Sequence, residues 1–589
     1  MAHEAIERLS YDVVILGAGG AGLRAAIEAA KPGVKVAVLS KSLLGKAHTV
    51  MAEGGMAASL GNVDPEDCWQ THFYDTMRGG KFINHYRMAE LFAKEAPERV
   101  VELEEWGAVF DRTPEGKINQ RAFGAHSFRR LAHVGDRTGL ELIRTLQYKG
   151  IHSGMDVYQE VTATHLFQDG EGRPTGVFAY HRQSGTFCVF EAKAVVVATG
   201  GWGRMYKVTS NSWESTGEGA ALAMRAGAEM KDMEMVQFHP TGMVWPPGVR
   251  GILVTEGVRG EGGILRNSEG ERFMLRYDPE KKDLSSRDVV ARSIYKEVQA
   301  GRGSPHGGAF LDITHRGADF IKRKLPNMYD QFLTLADIDI TKQPFEVAPT
   351  IHYTMGGIRV EPEDGRTSLD GLFAAGESAC GLHGANRLGG NSLTDLLVFG
   401  RRTGAGARDF ATARRQWTPP SEAAVEAAMA AVLAPLGRTD GENPYALHAT
   451  LQEVMGEHAG ISRTGEVVQA GIQKLEELKE RCRRMGAPGS RMYNPGWHAT
   501  FEVESMVLLA EAILKAALWR EESRGAHWRL DFPDLDDERF GKLNSIATLR
   551  DGTVAVTERP VPQMLPELAA IFASGQTPRR EGVDQGGHS

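Results

Sequence analysis

Three glycines near the amino terminus have the spacing that lets a backbone hold a phosphate. Gly17, Gly19 and Gly22, with Gly20 between them, form G-x-G-x-x-G (GAGGAG, residues 17–22). In such a turn the first glycine permits the sharp bend and the second lets the backbone approach a pyrophosphate. The third lets helix and strand pack closely, and the helix N-terminus supplies positive potential. The chemistry implied is dinucleotide binding. Four cysteines (Cys68, Cys188, Cys380, Cys482) lie far apart with no C-x-x-C, so neither a zinc site, an iron–sulfur cluster nor a disulfide framework can be read from them.

The elements around the turn suit it. Residues 11–16 (YDVVIL) are a β-branched apolar run, residues 23–30 (LRAAIEAA) are helix-prone, and residues 34–39 (VKVAVL) make a second strand. An acidic ribose ligand is missing after that strand, where the chain reads Ser40-Lys41, which counts modestly against NAD. Two further apolar runs end in glycine, at Thr199-Gly200-Gly201 and at residues 371–377 (GLFAAGE). That pattern recurs in FAD proteins with two dinucleotide motifs. Glu377 suits either a hydrogen bond to a ribityl chain or a place at a helix N-terminus.

The expected fold is α/β: a Rossmann-like dinucleotide domain (1–235 and 351–415) interrupted by an inserted α+β capping domain (236–350). Residues 414–421 (RRQWTPPS) read as a linker, residues 421–525 as a helical domain, and residues 526–589 as a C-terminal extension whose tail frays from about 575. Length supports this division, since 589 residues allow about three to four domains. Glycine makes up 69 of the 589 residues without a Gly-X-Y period, implying many close backbone approaches. The net charge of −8 leaves no global basic field, so nucleic acid is not an expected partner. No apolar run is long enough to span a bilayer, and no signal core precedes the first strand.

Six co-linear segments carry a resemblance. Residues 47–62 (AHTVMAEGGMAASLGN), 237–242 (QFHPTG), 254–263 (VTEGVRGEGG), 286–293 (SRDVVARS), 352–357 (HYTMGG) and 384–393 (GANRLGGNSL) resemble succinate dehydrogenase and fumarate reductase flavoprotein subunits, in that family's order. The resemblance runs from about residue 10 to about residue 560. It implies FAD bound covalently at His48, with cofactor contacts from Gly17, Gly19, Gly20, Gly22, Ser40, Lys41, Thr49, Gly54, Gly55, Val161, Thr199, Gly200, Gly201, Glu377, Arg387, Ser392 and Leu393.

A small dianion in a dry pocket needs both carboxylates paired, which calls for arginine and histidine donors. The resemblance assigns this to His239, Thr255, His352 and Arg387, with Phe123 against the central carbons. The family's motif carries a second glycine where this chain has Ala125. Arg287 matches the family's proton-transfer arginine, and Glu256 with Arg259 match the relay that reloads it. The implied reaction is oxidation of succinate to fumarate, or the reverse. No metal ligands are implied in this chain. Electrons would leave through a separate iron–sulfur subunit, then membrane anchor subunits that meet quinone, with the chain peripheral on the cytoplasmic face of a bacterial inner membrane.

Rival readings are weaker. L-aspartate oxidase shares the fold but holds FAD non-covalently, and His48 argues against it. A flavin-binding scaffold or RNA-modification partner is opposed by the acidic balance and the complete His/Thr/Arg set. Glu53 matches fumarate reductases where succinate dehydrogenases often carry glutamine, and a carboxylate beside the ring would lower its potential.

Overall fold

The computed structural model describes residues 6–580. Strands Glu7–Leu16, Val36–Ser40 and Phe187–Val197 run parallel at the centre of a seven-stranded sheet, in register Val13↔Val36 and Val13↔Ala194. Asp156–Gln159 extends one edge, while Pro174–His181 and Val161–Gln168 extend the other antiparallel. Leu372–Ala374 pairs in parallel with the C-terminal half of Phe187–Val197. The inner halves of the central strands are continuous apolar runs because helices cover both faces. Gly20–Ala29 and Asn391–Ala413 are two of those covers, and the second brings residues from far along the chain back onto the phosphate turn.

The inserted segment has its own antiparallel sheet, ordered Val236–Met243, Phe345–Thr354, Ala309–Asp312, Ile264–Arg266. Helices Arg287–Gln299 and Pro326–Ala336 pack on it around a separate core that includes Val254, Leu265, Phe273, Ile294 and Val347. Its first and last strands, Val236–Met243 and Phe345–Thr354, follow Met230–Lys231 and precede Gly357–Arg359, two strands of a third sheet.

Beyond residue 421 come four long helices: Glu422–Leu433, Pro444–His458, Gly465–Cys482 and Pro495–Trp519. Each begins on a side-chain cap, from Ser421, Asn443, Thr464 and Asn494, and proline stands first in two of them. The final hairpin, Leu543–Arg550 with Thr553–Pro560, pairs back onto Met230–Lys231 in a five-stranded sheet. Fraying from 575 does not hold through Arg580. Thr71 Oγ1 donates to the Pro578 carbonyl (2.6 Å) and the Arg580 amide donates to the Glu66 carbonyl (2.8 Å). Polar composition gives no hint of this, because the bonds use backbone groups. The remainder of the expected tail, 581–589, lies outside the described residues.

Candidate functional site

The phosphate turn is built as its spacing requires. A Cβ on Gly22 would overlap the Gly17 carbonyl, and one on Gly17, whose φ is +108°, would overlap the Ala198 carbonyl. Helix Gly20–Ala29 has Gly19 as its N-cap and no side-chain cap. Its first amides therefore face outward, apart from Gly20 N–H, which donates to Thr49 Oγ1 (3.3 Å). A continuous cavity of about 1460 Å³, counting its open mouth, borders this turn. Gly17, Gly19, Gly20, Ser40, Lys41, His48, Thr49, Val161, Thr199, Gly200, Glu377, Arg387, Ser392 and Leu393 all line it.

Four expected cofactor residues do not line the cavity. Gly22 acts through packing. Gly54 lies against the Phe123 ring, Gly55 against the Ala132 carbonyl, and Gly201 against the Glu377 carboxyl. At each of these positions a side chain would overlap the neighbour named.

His48 sits in the short 3-10 turn His48–Met51, and its Nδ1 accepts from the Ser212 amide (3.2 Å). Burial pushes its pKa down to about 4, so the ring is neutral. Lys41 turns away from solvent and donates to Thr216 Oγ1 (2.6 Å) and Glu218 Oε1 (2.7 Å), with Glu502 at 3.1 Å. Burial disfavours its charge, but Glu218 and Glu502 outweigh that and raise its pKa. Glu377 Oε1 accepts from the Thr354 amide (3.0 Å), and burial raises its carboxyl to about 7.

A cationic group adjoins the cavity. His239 and His352 project from neighbouring strands with ring centroids 5.1 Å apart. His239 Nε2 lies 3.0 Å from the Val254 carbonyl and from Thr241 Oγ1, while its Nδ1 is buried without a partner among the described residues. His352 Nδ1 is 2.9 Å from Ser210 Oγ. Burial, and then Arg287, hold both histidines well below their ordinary pKa. Arg387 Nη1 donates to Ser392 Oγ (2.6 Å), leaving buried Nε and Nη2 unpartnered among the described residues. Burial and the neighbouring Arg287 push Arg387 down to about 9. Buried donors without acceptors are costly, and an arriving anion would satisfy them.

Arg287 opens helix Arg287–Gln299 and is fixed at two nitrogens. Nε donates to Glu256 Oε2 (2.8 Å) and Nη1 to Gln237 Oε1 (3.1 Å). Glu256 Oε1 accepts from the Gly124 amide (2.6 Å), an approach open only because Gly124 has no side chain. Burial alone would raise the Glu256 carboxyl, but Arg287 and Arg259 draw it to about 2. Arg259 reaches that carboxylate at 3.8 Å and bonds the Asp283 carbonyl through Nη1 (2.5 Å). Among the described residues Glu256 and Arg259 form an ion pair without a hydrogen bond, and the shorter pair is Glu256–Arg287.

Thr255 is buried, its Oγ1 accepting from the Gly257 amide (3.2 Å). Phe123 is buried beside Ala57 and Leu131. Ala125 takes φ +64°, which explains why glycine suits that position better. Glu53 departs from expectation. It does not line the cavity; its Oε1 accepts from Asn327 Nδ2 (3.1 Å), and burial beside Asp136 raises its pKa well above the carboxylate range. A raised pKa disfavours the charged carboxylate on which the argument for a lowered potential rests.

Gln237, Ser210, Ser212, Glu218 and Tyr353 contribute to the site although no motif assigns them a role. Gln237 Nε2 also donates to the Arg387 carbonyl (2.8 Å), tying the two arginine segments together. Gln237 and Tyr353 fall within the family-like segments; Ser210 and Ser212 sit in a stretch with no distinguishing pattern.

Residues 12–393 match the FAD binding domain family, and residues 448–569 the fumarate reductase flavoprotein C-term family. The chain is 44% identical over 535 residues to a fumarate reductase (CoM/CoB) subunit of Methanothermobacter marburgensis, covering 90% of this chain and 96% of that one. It is 39% identical over 573 residues to the succinate dehydrogenase flavoprotein subunit of Coxiella burnetii, covering 94% and 96%. Among solved structures, Mycobacterium smegmatis Sdh1 in complex with UQ1 superposes with a TM-score of 0.88 at 53% identity, covering 97% and 98%. These similarities establish that the chain belongs to the succinate dehydrogenase/fumarate reductase flavoprotein subunits, a family of FAD-dependent oxidoreductases.

Proposed function

We propose that this chain is the catalytic subunit of a succinate:quinone oxidoreductase, converting succinate to fumarate. The observation that carries the reading is the unpartnered donor set of Arg387 Nε, Arg387 Nη2 and His239 Nδ1, beside a cavity fitted for a dinucleotide. FAD fits that cavity: the open amides after Gly19 suit its pyrophosphate, Ser40, Lys41 and Glu218 its sugar end, and Glu377 its ribityl chain. His48, neutral and lining the cavity, is the residue to which it would be attached. Bound FAD supplies the hydride acceptor that carbon–carbon desaturation needs.

His352, His239, Thr255 and Arg387 hold the two substrate carboxylates, and Phe123 closes the apolar side. Pairing both charges offsets the desolvation of a buried dianion. Arg287 keeps Nη2 free among the described residues and handles the proton at the adjacent carbon. In fumarate reduction that nitrogen donates, and Glu256 with Arg259 reloads it; in succinate oxidation the relay carries the proton away. The inserted domain, by holding Arg287 against Gln237 and Glu256, excludes water while the carboxylates are paired.

Among the described residues no helix is long and apolar enough to cross a membrane. A separate iron–sulfur subunit, with membrane anchor subunits that meet quinone, completes the path, and the chain is peripheral on the cytoplasmic face of a bacterial inner membrane. The 53% identity to Sdh1 supports the oxidative direction. The 44% identity to a fumarate reductase relative supports the reverse as the second reading.

The test is a dye-linked assay of the FAD-loaded full chain in both directions, with flavin fluorescence read on a denaturing gel. Succinate and fumarate turnover, fluorescence fixed to the polypeptide, and its loss in His48→Ala are expected. L-aspartate oxidation with freely released flavin would overturn the reading.

A further inference from the structure

Behind Arg387 lies a chain of buried groups, of which Tyr353 borders the cavity while His383 and Asp395 do not. The Arg387 guanidinium carbon stands 4.3 Å over the Tyr353 ring centroid. The Tyr353 hydroxyl is 3.3 Å from His383 Nε2, and the two rings meet edge to face at 83°. His383 Nε2 is in turn 3.8 Å from Asp395 Oδ2. Tyr353, His383 and Asp395 are all buried. They come from three elements: strand Phe345–Thr354, the loop before helix Asn391–Ala413, and the N-terminal part of that helix.

Arg387 carries its charge in a dry place with only one hydrogen bond among the described residues, to Ser392 Oγ. No carboxylate is within salt-bridge distance of it among the described residues. The face of an aromatic ring is then the nearest electron-rich surface, and desolvation strengthens that attraction. Asp395 sits near the start of a helix, the end whose dipole favours negative charge. The Tyr353 hydroxyl and the Asp395 carboxylate both face His383 Nε2; with that nitrogen accepting from the hydroxyl, the ring presents more electron density to the guanidinium, and Asp395 adds negative charge beside the pair.

We propose that Tyr353, backed by His383 and Asp395, is a positioning residue that holds Arg387 charged and correctly turned before the substrate arrives. This rests on the reading of Arg387 as a carboxylate ligand. The stack occupies one face of the guanidinium and leaves the Nε and Nη2 edge for the dianion. The other charged or titratable groups acting on Arg387 are Arg287, Glu256, Glu377, His352 and His48. None of these supplies a stacking surface.

The experiment compares wild type with Tyr353→Phe, Tyr353→Leu, His383→Gln and Asp395→Asn in the FAD-loaded full chain. Steady-state rates with succinate and with fumarate, and malonate titration of the flavin spectrum, are measured from pH 6 to 10. Tyr353→Leu is expected to raise KM and the malonate Kd about tenfold, with a smaller change in kcat, as loss of a desolvated cation–π contact implies. The alkaline limb of kcat/KM moves to lower pH, because the charged guanidinium has lost its stabilising face. Tyr353→Phe restores most of the affinity, and the His383 and Asp395 variants fall between Phe and wild type. FAD content and melting temperature separate these effects from misfolding. If Tyr353→Leu retains FAD yet keeps wild-type KM and alkaline limb, the proposal is overturned. A Phe variant no better than Leu would also overturn it. A wild type with neither turnover nor a malonate response would instead remove the reading of the site itself.

Discussion

Glu256 accepts a 2.8 Å hydrogen bond from Arg287 Nε, and its other oxygen is held 2.6 Å from the Gly124 amide. The carboxylate is thus aimed by backbone from the dinucleotide domain and by a guanidinium from the inserted domain. That places the proton-handling arginine and its reloading group in one fixed unit. Glu256, Arg287 and Gln237 all belong to the inserted segment, and the Gly124 amide is the contact that ties this unit to the dinucleotide domain.

Glu256→Gln keeps the shape of this unit and removes its charge. Turnover should fall by roughly 10²–10⁴ in either direction, the usual contribution of positioned acid–base groups, while malonate still perturbs the flavin. Steady-state rates with a malonate titration decide it, and near-normal turnover would end the relay. Because the folded carboxyl lies near 2, its stabilisation is present above the ordinary carboxylate pKa and is lost as pH falls from there toward 2. The stability gap between wild type and the variant should shrink over that acidic window.

The histidine pair predicts a proton linkage. Burial and Arg287 hold His239 and His352 well below their ordinary pKa, which favours the neutral rings. A bound dianion favours their charged forms, so binding takes up protons and malonate affinity weakens as pH rises through about 6–8. Calorimetry in buffers of different ionisation heat measures this. Zero uptake would mean that the rings bind only as neutral donors.

Glu53→Gln should leave the structure intact, since burial and Asp136 already disfavour the charged carboxylate. A carboxyl raised on folding binds more protons in the native state, so wild-type stability declines as pH climbs from its ordinary pKa toward the raised one. The glutamine variant lacks that decline. Urea unfolding at pH 5 and pH 8 should show its advantage growing with pH.

Ala125→Gly removes a left-handed backbone strain at φ +64°. The gain, partly offset by the freer unfolded chain, is expected to be about 0.5 kcal/mol in urea unfolding. A loss would show that the Ala125 methyl packs usefully.

Gly22→Ala forces a methyl onto the Gly17 carbonyl. Stability should drop by about 3 kcal/mol or more, with FAD content falling in step. Absorbance of the purified chain reads the second effect directly.

Much of the site is legible along the chain. Gly17, Gly19 and Gly22 lie close together, so their spacing already states the turn they make. The caps at Ser421, Asn443, Thr464 and Asn494 are equally local. Glu53 shows the limit of such reading, because its type is local but its charge depends on burial beside Asp136.

The sequence alone determined the phosphate turn, the interrupted dinucleotide fold and the family, since each rests on short-range spacing or on motif order. Tertiary structure decided which partners those residues took. It paired Glu256 more closely with Arg287 than with Arg259, Lys41 with Glu218, Tyr353 with Arg387, and the backbone up to Arg580 with residues 66–71. Such pairings join distant segments across packed surfaces, where distance and desolvation set the outcome and no local pattern records it.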